Sequence, residues 1–117
     1  MARFEPLSTR FTVADAENPA MVLGADGALT VTFKDWREQV VSVAFADVAG
    51  LRWQEGDRLV FEDEQYDGCG VVAESPWLAE LLRSGDRETS EGHKHYKFNF
   101  NACGCLEVLA TGLTLVE

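Results

Sequence analysis

Hydrophobic residues in this chain alternate with polar ones in short runs. Leu29, Val31 and Phe33 are interleaved with Thr30 and Thr32, the period-two pattern of a strand with one buried face. After a polar break over 34–38, Val41, Val43 and Phe45 resume the pattern. Putting both apolar sets on one side sets Phe33 opposite Val41 and Leu29 opposite Phe45 in an antiparallel pair. Asp26-Gly27, just upstream, is a signal for a two-residue hairpin turn. That turn pairs Ala25 with Ala28, Gly24 with Leu29 and Val22 with Val31. Residues 20–25 then form the first strand of a three-stranded meander, after a loop at Asn18-Pro19.

Further on, Val48, Leu51 and Trp53, a turn at 55–57, then Leu59 and Phe61 predict a second hairpin, 48–54 with 58–63. The acidic, glycine-bearing stretch 62–70 reads as loop, and Val71-Val72-Ala73 as a short strand. The period then changes. Ser75 suits a helix N-cap, Pro76 the first helical position, and Gly85 the residue after the end. Trp77, Leu78, Leu81 and Leu82 share one helical face, and Arg83 places a cation in the last turn. After a polar loop over 86–92, Tyr96, Phe98 and Phe100 alternate with Lys97, Asn99 and Asn101. A turn at Ala102-Cys103-Gly104, with Gly104 left-handed, sets Phe100 opposite Leu106, Phe98 opposite Val108 and Asn99 opposite Glu107. Residues 113–116 form a last strand. The expected class is α+β. Roughly seven to nine mostly antiparallel strands form a curved sheet, a half-barrel or two layers, with one helix at about 76–84. A length of 117 residues fits a single domain over 1–117.

Charge narrows the possible partners. The net charge is −10, with −3 carried by residues 1–60 and −7 by 61–117. Such a surface repels nucleic-acid phosphates and anionic lipid, so neither is expected as a ligand. It attracts a basic protein. Residues 1–11 include Arg3, Glu5 and Arg10 without an apolar block, so no secretory signal is expected. The three cysteines, Cys69, Cys103 and Cys105, are an odd number. Reduced thiols and a cytoplasmic location are the expectation.

Candidate chemistry is sparse. His93 and His95, like Cys103 and Cys105, are separated by one residue, which is not the Cys-x₂₋₄-Cys spacing of zinc sites. The acids at 62–67 lack the ligand alternation of a calcium loop. No phosphate-binding glycine motif is present. In this register His95 pairs with Thr111, so nothing brings a histidine to the Cys103 thiol as an activating base. No catalytic residue, metal ligand or cofactor is therefore assigned. The leading expectation is a non-enzymatic interaction domain of the immunity or adaptor type. It would bind or neutralise a basic partner through Trp36, Glu62, Asp63, Glu64 and Asp67. The alternative is a small-ligand or enzymatic domain with a pocket in the curved sheet, using His93, His95, Asn99 and Cys103. Trp53 and Trp77 fall on apolar faces and are expected in the core. The edge strand at 113–116 is a candidate for homodimer pairing.

Overall fold

The computed structural model describes residues 2–7, 9–55, 64, 68–84, 92–100 and 104–116. Among these the alternating runs become nine strands: β1 (Arg3–Pro6), β2 (Glu17–Leu23), β3 (Leu29–Lys34), β4 (Val40–Ala46), β5 (Gly50–Glu55), β6 (Cys69–Ala73), β7 (Lys94–Phe100), β8 (Gly104–Ala110) and β9 (Gly112–Val116). One helix, α1 (Pro76–Arg83), lies between β6 and β7. The fold is α+β with antiparallel pairing throughout. A five-stranded sheet runs β1-β6-β7-β8-β5 and a four-stranded sheet β2-β3-β4-β9. Among the described residues no helix is long and apolar enough to cross a membrane.

The two sheets share a corner. β4 passes into β5 and β8 into β9 across short bends. There Thr111 N–H donates to the Ala46 carbonyl and Ala49 N–H to that of Leu109. The bend folds the ladder over itself, and the inner faces meet around Phe33, Phe45, Phe98, Leu106 and Val108. Phe33 meets Phe100 edge-on, and Phe45 packs on both Tyr96 and Phe98.

The β3–β4 register is the expected one, with Phe33 opposite Val41 and Leu29 opposite Phe45. The β2–β3 register differs by one residue: Val22 faces Thr30 and Met21 faces Val31. The cause is the turn. Gly27 N–H donates to the Gly24 carbonyl, Gly24 N–H donates to that of Ala28, and Gly27 is left-handed at φ 85°. This is a three-residue loop, not a two-residue one. A one-residue slip exchanges faces, so Val22 points outward and Met21 packs on the core. β2 is an edge strand, which accommodates Pro19 and a register break between Glu17 and Ala20.

The β7–β8 register is shifted by two from expectation. Phe98 faces Leu106, Lys97 faces Glu107, and His95 faces Leu109 rather than Thr111. An even shift preserves the faces. Gly104 is a strand residue opposite Phe100, not a turn residue. A Cβ there would lie 2.5 Å from the Gln54 carbonyl oxygen and 2.8 Å from the Trp53 indole. The glycine serves close approach between β8 and β5.

Other expectations shift as well. β6 starts at Cys69, inside the stretch read as loop, and β1 was not anticipated. β5 pairs with β8 at the edge of its sheet, while the expected partner strand 58–63 lies outside the described residues. Its edge position leaves Trp53 at the rim of the core, 36% exposed, rather than inside it.

Candidate functional site

The central strands of the five-stranded sheet, β7 and β8, are buried on both faces, and the outer face holds the polar chemistry. One row across that face reads Phe4, Val72, His95, Leu109, Gly50; the next reads Pro6, Gly70, Lys97, Glu107, Arg52. Phe4, Val72, His95, Lys97, Leu109 and Glu107 are all buried, yet none of them belongs to the core cluster between the sheets. Helix α1 crosses above the first row.

Ser75 is the N-cap of α1, with an extended backbone, and accepts from Leu78 N–H at 3.1 Å. Its oxygen also lies 2.7 Å from His95 Nδ1. The Glu107 carboxylate beside Nε2 can only accept, so the singly protonated ring carries its hydrogen on Nε2, and Nδ1 accepts from the Ser75 hydroxyl. His95 Nε2–H then donates to Glu107 Oε1 at 2.8 Å, which also accepts from Arg52 at 3.0 Å. The Arg52 guanidinium lies 3.9 Å from the centroid of the Trp77 ring, and Trp77 stands edge-on to His95. Trp77 is therefore half-buried over this polar row, not in the apolar core. Burial pushes the Glu107 carboxyl upward, but the His95 hydrogen bond and the Arg52 charge outweigh it and hold it below the usual range.

Serine, histidine and carboxylate follow one another here as in a nucleophilic relay. The serine differs from a presented nucleophile. It is 5% exposed, and its oxygen is engaged by the helix amide. The chain clasps α1 to the sheet.

The second row carries a buried ion pair. Lys97 Nζ bonds Glu64 Oε1, and Asn99 Nδ2 donates to the same oxygen at 2.9 Å. Glu64 is thus taken up inside the molecule, away from an exposed acidic patch. Glu62, Asp63, Asp67 and Cys103 lie outside the described residues. His93 is buried apart from this chain, with Nε2–H donating to the Asp47 carbonyl across the corner at 2.7 Å. Burial pushes the Cys69 thiol up to about 11 and the Cys105 thiol up to about 12, which makes both poor nucleophiles. Among the described residues no group of three or more His, Cys, Asp or Glu could hold a metal.

Two open surfaces bear on the expected sites. A cleft of about 670 Å³ runs beside α1, lined by Leu7, Val71, Leu78 and Leu82, with Ser75 and His95 in its wall. The expected apolar stripe of the helix is real, but none of its residues is fully buried. The other surface is the tip of the β3–β4 hairpin, where Trp36 is 60% exposed. The Asp35 carboxylate pins this tip, accepting from the N–H groups of Arg37 and Gln39, both at 2.9 Å, and from the Arg37 side chain. Burial raises the Asp35 pKa, but these bonds, Gln39 foremost, lower it further and hold it below its ordinary value. Asp15, Glu17 and Glu38 surround the tip.

The turn repeats the β2–β3 geometry. Glu38 N–H donates to the Asp35 carbonyl, and Asp35 N–H to that of Gln39. Glu38 occupies the left-handed position, at φ 64°, that Gly27 takes in the other hairpin. Comparison with protein-family models, curated proteins and solved structures finds no match.

Proposed function

We propose that this chain is a non-enzymatic protein-interaction domain that binds a basic partner, in the manner of an immunity or adaptor protein, with Trp36 as the anchor. The observation that carries the reading is the β3–β4 tip. A large aromatic stands exposed on a pinned turn, the setting of an interface hot spot. Beside it Glu38 keeps a carboxylate at a position that favours glycine. Backbone strain of that kind persists where function holds it. All four non-glycine residues with positive φ among those described, Asp15, Glu38, Asp47 and Glu74, are acidic.

Internal pairing does not consume the acidic excess. Arg37, Arg52 and Lys97, three of the ten lysines and arginines, face the buried carboxylates of Asp35, Glu107 and Glu64. Each pair takes up one cation and one acid, so the net charge of −10 is still carried by the remaining groups, which would steer a basic partner.

The test is affinity capture from the native host across ionic strength, with wild type and Trp36→Ala side by side. A basic partner should be held at low salt, released as salt rises, and lost with Trp36→Ala. A partner indifferent to both changes would count against the reading.

The cleft beside α1 favours a second reading, a site for a small apolar ligand with a polar end directed at Ser75 or His95. Thermal-shift screening against metabolites tests it. A ligand that stabilises the wild type but not Leu78→Lys would support it, and no shift across a broad panel would remove it.

A further inference from the structure

Among the described residues four strands lie at sheet edges: β1, β5, β2 and β9. An edge offers unpaired backbone groups to any passing strand, and proteins guard against that with prolines, charges and bulges. Three of these edges are guarded. β1 carries Arg3, Glu5 and Pro6. β5 carries Arg52 and Glu55. β2 carries Pro19 and a register break. β9, Gly-Leu-Thr-Leu-Val, has neither charge nor proline, and it pairs with β4 over five consecutive residues without a bulge.

The surface next to β9 is equally uncharged. On the outer face of the four-stranded sheet, one row reads Val22, Thr30, Ala44, Thr114, and the row beside it ends in Ser42 and Val116. Neither row holds an ionisable group, on a molecule of net charge −10. Two copies would repel each other through most other surfaces, so this is where a second copy can approach. Leu113 and Leu115 pack on the core but are only partly buried, and Val116 is 50% exposed. A second strand alongside would cover the remaining apolar flank.

We infer that β9 is a homodimerisation edge, where two copies pair β9 to β9 antiparallel across a two-fold axis and join their four-stranded sheets into one of eight. Centring the axis on Thr114 sets Gly112 opposite the partner's Val116 and Leu113 opposite the partner's Leu115. The two Thr114 side chains then lie side by side on the uncharged face. A five-residue pairing is a small interface, so the dimer belongs to the weak, concentration-dependent class. Its salt dependence has a distinctive sign. Salt screens repulsion between two acidic copies, so self-association strengthens as salt rises, whereas capture of a basic partner weakens.

Sedimentation equilibrium of the whole chain, from low micromolar to near millimolar, tests this at low and physiological salt. The expected mass moves from 12.9 kDa toward twice that value, with a lower dissociation constant at higher salt. Thr114→Lys sets two ammonium groups against each other at the axis while making the chain less negative overall. Loss of the dimer in that variant, with an unchanged circular-dichroism spectrum, assigns the edge. Val116→Lys, on the same face, gives the same reading should Thr114→Lys disturb the fold. A monomer at every concentration overturns the inference, as does a dimer that both folded variants leave intact.

Discussion

Ser75 serves two elements with one hydroxyl. It satisfies the Leu78 amide at the start of α1 and bonds the His95 ring on β7. Ser75→Ala removes a cap and takes the hydrogen-bond partner from a buried ring nitrogen. The expected loss is about 2 kcal/mol, read as a lower urea midpoint; an unchanged midpoint would show that the clasp does not hold the helix. Glu38 presents the opposite case. Its left-handed backbone disfavours a side chain, and its ion pair with Lys34 spans 3.9 Å between exposed groups, a contact of small value. Glu38→Gly should therefore raise stability by about 1 kcal/mol. On the proposed function it should also weaken binding to the basic partner. A variant that gains stability and keeps full binding would separate the strained acid from the interface.

Lys97 on β7 and Glu64 form one ion pair. Lys97 is 2% exposed and Glu64 8%, so the pair lies where desolvation is large. Glu64→Gln removes the carboxylate facing a buried ammonium and should cost about 3–5 kcal/mol. The double replacement Glu64→Leu with Lys97→Met removes both charges and should cost much less, by the same reasoning. Chemical denaturation of the three proteins checks this, and equal losses in both variants would refute it. These residues also show what the sequence could convey. The β3–β4 register was legible because two apolar triplets, Leu29-Val31-Phe33 and Val41-Val43-Phe45, must share one core. For β7 and β8 the alternation fixed the faces but not the step, since a shift of two leaves every face unchanged. The close pass of Trp53 over Gly104, which makes Gly104 a strand residue and not a turn residue, leaves no trace in a local pattern. The sequence points to His95 and Asn99 as polar candidates and to Ser75 as a helix cap, but not to Ser75, Lys97 and Glu107 as their buried partners. Polar residues alternating with aromatics normally mark a solvent face. Here α1 and the Glu64 side chain cover that face instead. The available signal was the helix itself, whose apolar stripe had to rest on some sheet.

At the scale of the whole molecule, two electrostatic effects oppose each other and can be separated. The buried carboxylates of Asp35 and Glu107 titrate below their ordinary values. The native state therefore binds fewer protons than the unfolded chain in the acid range. Their contribution is complete above the ordinary carboxylate pKa of about 4, and it is lost as pH falls through the lower folded values. Asp35→Asn with Glu107→Gln should flatten the acid limb of a stability–pH profile; an unchanged limb would place the acid sensitivity in other groups. Outside, the net charge of −10 repels itself in the compact state. Salt screens exposed charges over about 10 Å at 0.1 M and reaches buried pairs much less. Adding sodium chloride at neutral pH should therefore raise the thermal midpoint, because it relieves the outer repulsion while leaving Lys97–Glu64 and the His95–Glu107–Arg52 chain largely intact. The measurement belongs at low protein concentration, where β9 pairing contributes nothing. A midpoint that falls with salt would mean that attractive surface pairs such as Arg3–Glu74 outweigh the net charge. The acidity would then be locally compensated, and the case for a steered basic partner would lose its electrostatic half.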